Sequence, residues 1–112
     1  MLWAEGFLEE ATKEIKNMNY EAVKINLLNA MKYSVLAVFN AVSLPADENA
    51  DVVELLRKFE EYFHEPFDKY IPVICDVIEG IKDTEVTEEN VQEAMKKGYF
   101  VYTVCKKFVE GA

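Results

Sequence analysis

The run "LLNAMKYSVLAVFNAV", residues 27–42, is apolar almost all round when wound as a helix, and this limits what the chain can fold into. A thin polar line, Asn26, Asn29, Lys32 and Asn40, is all that interrupts it and its approach. A helix of this kind needs neighbours on most of its sides, so it belongs in the centre of a bundle or in a subunit interface. The pattern predicts a long helix from Tyr20 to about Val42.

Its neighbours read as helices too. Between Ala4 and Asn17 the apolar positions Phe7, Leu8, Ala11 and Ile15 form one stripe, with Lys13 and Lys16 towards the C-terminal end, and "NMNY" then breaks the pattern. "SLPADEN" is a loop, after which Asp51 and Glu54 resemble a capping box. Val52, Leu55, Leu56, Phe59 and Phe63 then predict a third helix of about thirteen residues. Pro66 and Pro72 bracket the start of a fourth element carrying Tyr70, Ile71, Ile74, Cys75, Ile78 and Ile81 at helical spacing. Proline has no N–H for a helical bond, so this helix starts near Ile71 or kinks at Pro72. Thr87 is a good N-cap, with Glu88 and Glu89 in the first turn of a last helix reaching about Glu110. Val91, Ala94, Met95, Gly98, Tyr102, Cys105 and Val109 share one side of it; Gly98 either admits a second helix closely or is an exposed, tolerated glycine. A chain of 112 residues, 51% hydrophobic with only 4 glycines and 3 prolines, is therefore expected to form one domain over residues 1–112. The expected fold is all-α, an up-and-down bundle of four to five helices.

Charge narrows the partners. Twelve basic residues against 21 acidic ones give a net charge of −9, a field that repels phosphate backbones at long range. Lys96, Lys97, Lys106 and Lys107 spread over more than one helix face and read as a solvated surface near a helix C-terminus. Cys75 and Cys105 lie in separate apolar runs and in no metal or redox spacing, so buried reduced thiols are expected. "MLWAEGFLEEA" lacks the basic start of a signal peptide, and Asn40, Pro45 and Asp76 interrupt the apolar runs. No membrane span and no cofactor are expected, and a cytoplasmic location follows. The aromatics Trp3, Phe7, Tyr20, Tyr33, Phe39, Tyr99, Phe100 and Tyr102 lack accompanying arginines, which favours packing over base stacking. Tyr99, Phe100 and Tyr102 cannot all face one core, so at least one is expected at an interface.

Residues 4–44, with their break "NMNYEAV", resemble the first two helices of the HEPN superfamily of small helical bundles. The stretch "VTEENVQEAMKKGYFVYTVCKKFVEG", residues 86–111, is similar to that family's closing helix. The resemblance implies a homodimer packed through helices, and often a partner of the minimal nucleotidyltransferase type in a toxin–antitoxin pair. Catalytic members cleave RNA without a metal, using an arginine and a histidine with four to six residues between them. Arg57 and His64, the only arginine and histidine, fit that spacing at its upper limit. Two departures count against it: Lys58 stands where a small polar residue commonly follows the arginine, and "EGIKDTEV" lacks the arginine and tyrosine often found at the exit of the penultimate helix.

"RKFEEYFH" thus has three readings. In a nuclease, Arg57 would hold the scissile phosphate and His64 would move a proton, both on nearly one face of a continuous helix. Glu60, Glu61, Glu65 and Asp68 nearby discourage an RNA phosphate. In a metal site, Glu61 and His64 would supply the Glu-x-x-His spacing of di-iron bundles, which demands further ligands the chain does not place in its core helix. The favoured reading is a helix end, with Arg57 paired to Glu61 and His64 beside the helix C-terminus. A non-catalytic HEPN-like protein acting by association is therefore expected; a metal-independent endoribonuclease and a generic helical scaffold are the alternatives.

Overall fold

The computed structural model describes residues 1–111, and every regular element among them is helical. Five α-helices follow in order: α1 (Leu2–Lys16), α2 (Tyr20–Ala41), α3 (Val52–Lys58), α4 (Phe67–Asp83) and α5 (Val91–Gly111), with one 3₁₀ turn at Glu60–Tyr62. The molecule measures 40 × 25 × 24 Å.

The chain turns from α1 into α2 within three residues. Met18 takes a φ of 56°, a left-handed conformation uncommon for a long side chain, and it stands in solvent. Asn19 then caps α2, its Oδ1 accepting from the Ala22 N–H at 3.3 Å. The two helices pack antiparallel along their length, bringing Ala4, Leu8 and Ala11 against Val23, Leu27 and Ala30.

α2 is the axis of the bundle. Its buried side runs from Val23 to Phe39 and supplies both hydrophobic cores. Ser34, the one buried polar residue among those described, donates to the Ala30 carbonyl at 2.8 Å, so its hydroxyl carries no desolvation penalty. α5 runs parallel to α2: Val91 and Ala94 share a core with Val23 and Leu27, and Val101 and Cys105 share the other with Val35 and Phe39. Gly98 makes that approach close, because a Cβ there would meet Leu27 Cδ2 at 2.8 Å; the exposed-glycine alternative does not hold. α1 and α4 lie on either side of the α2–α5 pair, and their described residues do not touch each other. The result is an up-and-down bundle of α1, α2, α4 and α5, with α3 closing one end.

Three expectations need correction. The third helix is half the expected length: α3 ends at Lys58, a 3₁₀ turn follows, and Phe63 is extended (φ −103°, ψ 138°). The break sets Phe59 and Phe63 around Phe39, each ring meeting it edge-on at 5.7 and 5.6 Å. Of the two alternatives for the fourth helix, the start near Ile71 falls: α4 begins at Phe67 and carries Pro72 inside it with its ring exposed, so the Asp68 carbonyl lacks its helical donor. Asn40 does not interrupt the apolar run. It is the penultimate residue of a 22-residue helix whose mean hydropathy reaches 1.2, long and apolar enough by length and composition to cross a membrane. Here that helix is packed by α1, α4 and α5.

The start of α5 agrees more closely. The Thr87 carbonyl accepts from the Val91 N–H at 2.9 Å, as an N-cap carbonyl does, and Asn90 Oδ1 reaches back to the Thr87 N–H at 2.7 Å. Residues 88–90 form a turn, and regular helix starts at Val91.

Candidate functional site

Arg57 lies in the last turn of α3, where its Nη2 donates to Glu79 Oε1 of α4 at 2.6 Å. Its expected partner, Glu61, sits in the 3₁₀ turn and no longer occupies the helical face one turn on. Both members of the observed pair are largely exposed, so the pair contributes under about 1 kcal/mol. The guanidinium lies among carboxylates. Burial pushes the Cys75 thiol up, Arg57 opposes that rise, and Glu79, Asp76 and Glu60 add to it.

His64 is exposed in the link between the 3₁₀ turn and α4, and its carbonyl accepts from the Asp68 N–H at 3.3 Å. Seven-residue spacing aligns two side chains only on an unbroken helix. The break after Lys58 removes that alignment, so Arg57 and His64 do not share a helix face. Among the described residues no three His, Cys, Asp or Glu side chains are grouped to hold a metal ion. Cys75 and Cys105 are buried free thiols, and burial pushes Cys105 up to about 12.

A different part of the surface has the shape of a site. Between the first turns of α4 and the last turns of α5 lies a half-open groove of about 410 Å³, with Pro66, Tyr70, Val104 and Phe108 among its lining. Phe67 and Phe108 form its floor, ring centroids 4.7 Å apart, and Tyr70 meets Phe100 edge-on at 6.1 Å. Tyr70 and Val73 are about two-fifths exposed, so Tyr70 belongs to this rim, outside the core stripe where periodicity put it. Of the three neighbouring aromatics on α5, Tyr102 is buried, Phe100 half-buried and Tyr99 exposed.

A second part of the surface, on the α1 side of the bundle, is also apolar. Leu2 and Trp3 are 83% and 72% exposed, and Trp3 and Phe7 both stack on Tyr33, with Lys32 Nζ 5.4 Å from the tyrosine ring centre. Comparison with protein families, curated proteins and solved structures finds no match.

The groove left a signal in the sequence. Phe100, Val104 and Phe108 recur every four residues on α5, a second apolar stripe beside the core stripe of Val101 and Cys105. A stripe of that width exceeds what one core contact uses.

α1 is tied to α5 by a polar cluster. The Tyr102 hydroxyl donates to Glu5 Oε1, and Lys106 Nζ lies 3.9 Å from both Glu5 and Glu110. Burial, then the hydrogen bond and charge of Glu5, push the Tyr102 phenol up to about 12. A folded-state value above the ordinary 10 means that this contribution is complete below pH 10 and is lost as pH rises towards 12. Urea unfolding from pH 9 to 11 is expected to show a decline in stability above pH 10 that Tyr102→Phe makes shallower; parallel curves for the two proteins would remove Tyr102 as its source.

Proposed function

We propose that the protein is non-catalytic and acts by association, as a homodimer and through a second protein. The observation that carries this reading is the amount of large apolar surface left open on a small bundle: Leu2 and Trp3 at one edge, Tyr70 and Val73 at another. The placement of Arg57 supports it, because a guanidinium held by Glu79 among further carboxylates is poorly placed to receive an RNA phosphate. The finer reading rests on the resemblance of residues 4–44 and 86–111 to HEPN helices. It makes the second protein a minimal nucleotidyltransferase and the setting a toxin–antitoxin pair in the cytoplasm.

The test is RNA incubated in EDTA with the wild type, Arg57→Ala and His64→Ala, beside sedimentation equilibrium of the wild type. Intact RNA in every tube and a mass of twice the chain are expected. Cleavage that both substitutions abolish would make Arg57 and His64 the site of a metal-independent endoribonuclease. A monomer would overturn the dimer.

A further inference from the structure

We propose that two copies of this chain meet through the exposed face of α1, antiparallel about a two-fold axis, with Trp3 of each copy filling the hollow at Gly6 of the other and Glu9 and Glu10 lying at the start of the other's α1. This rests on the reading of the protein as a homodimer, and it assigns that dimer its surface.

The shape of the face is self-complementary. Gly6 sits in the middle of it, with open space where a Cβ would stand. The gap forms a shallow hollow of about 590 Å³ lined by Leu2, Trp3, Gly6, Phe7, Glu9 and Glu10. Trp3, one turn earlier on the same side of the helix, rests on Tyr33 yet stays 72% exposed. A knob and a hollow three residues apart can serve each other only in a second copy. If a second α1 runs antiparallel with its Gly6 opposite Trp3, the same axis sets its Trp3 opposite this Gly6, as an isologous interface requires. Leu2 then stands opposite Phe7, so the most exposed apolar side chains of the first turn leave water together.

Charge follows the same register. The first bond of α1 runs from the Glu5 N–H to the Met1 carbonyl at 3.1 Å, and no side chain caps this end, so the N–H groups of Leu2, Trp3 and Ala4 lack helical acceptors. Glu5, the acid of that first turn, is turned away onto Tyr102 and Lys106. With Trp3 opposite Gly6, Glu9 and Glu10 fall about 1.5 and 3 Å beyond Met1 of the other copy along the axis. Helical side chains lean towards their own N-terminus, which in an antiparallel neighbour carries both carboxylates back over the open first turn. Open N–H groups and the positive end of the helix dipole favour them there. Copies that each carry −9 repel one another, so a face that sets acid against a helix N-terminus is well suited to bring them together. A nucleic acid on the same face would meet Glu9 and Glu10 with its phosphates.

Trp3 is the only tryptophan, so its emission reports this surface alone. Sedimentation equilibrium and tryptophan emission are measured over one dilution series. The wild type is expected to be a dimer whose dissociation moves the emission to longer wavelength in step with the loss of mass. Gly6→Gln, which fills the hollow, is expected to raise the dissociation constant at least about tenfold. Its helix content by circular dichroism should not fall, because the site is open and glutamine suits a helix better than glycine. Glu9→Lys/Glu10→Lys is expected to weaken the dimer as well, although it lowers the net repulsion between copies. A dimer whose emission stays constant as it dissociates, or whose dissociation constant either variant leaves unchanged, would overturn the inference while the homodimer stood. A wild type that is monomeric throughout would overturn the homodimer itself, and this surface with it.

Discussion

Phe39→Ala is expected to lower the free energy of unfolding by about 3–5 kcal/mol, a large part of what a domain this small possesses. Phe39 is fully buried near the end of α2, with Phe59 and Phe63 edge-on against it. Phe63 continues the chain of rings to Phe67 and Phe108, at 5.1 and 5.8 Å. Removing the first ring therefore leaves a cavity where α2, the 3₁₀ turn and α4 converge, and the short α3 segment loses its main anchor. The other core, built from α1 and the first halves of α2 and α5, does not include Phe39. Urea unfolding should show the loss directly, while Phe39→Leu should cost less because it retains much of the volume. A cost below about 1 kcal/mol for the alanine variant would mean that the ring cluster collapses to fill the space, and that it does not hold α3 in place.

Gly98→Val is the second substitution with a large expected effect, about 2–3 kcal/mol of destabilisation. Valine is a better helix residue than glycine by a few tenths of a kcal/mol, so local propensity favours the change. Packing opposes it more strongly. The first carbon of any side chain at this position would lie 2.8 Å from Leu27 Cδ2, and Leu27 is fully buried with little room to turn aside. The relation between the two residues gives a sharper measurement than either alone. Leu27→Ala should cost about 2–5 kcal/mol in the wild type, but much less in the Gly98→Val background, where the added methyl groups enter the space the leucine vacates. A coupling of about 1 kcal/mol or more in the double-mutant cycle is expected. Simple additivity would show that α2 and α5 do not meet closely at Gly98.

How much of the fold could be read in advance differs from element to element. α1 and α2 were legible because their stripes are local and Asn17, Met18 and Asn19 mark the break between them. The third helix was misread because Val52, Leu55, Leu56, Phe59 and Phe63 suit a continuous helix as well as a short helix followed by a tight turn. What decides between the two is the ring of Phe39, twenty residues earlier in the chain, and periodicity does not contain that contact. The partner of Arg57 escaped for the same reason: Glu61 is its neighbour on a regular helix, while Glu79 becomes its neighbour only once α3 is laid on α4. Half of the groove was visible as the stripe of Phe100, Val104 and Phe108. The other half, Tyr70, resembled core until α4 was seen to begin at Phe67 and turn that ring outwards.

The parallel pairing of α2 with α5 also bears on how the protein is born. Both cores require side chains from α5, and the Glu5–Tyr102 contact joins positions 97 residues apart. A ribosome that has delivered everything before Val91 has delivered the most apolar helix of the chain without the surface that covers it. The α1–α2 hairpin can form early because its contacts are local, but consolidation of the whole waits for the last helix. During synthesis the side of α2 that α5 covers therefore stays open to solvent until the last helix is made, and a chain stopped short of α5 leaves both cores incomplete.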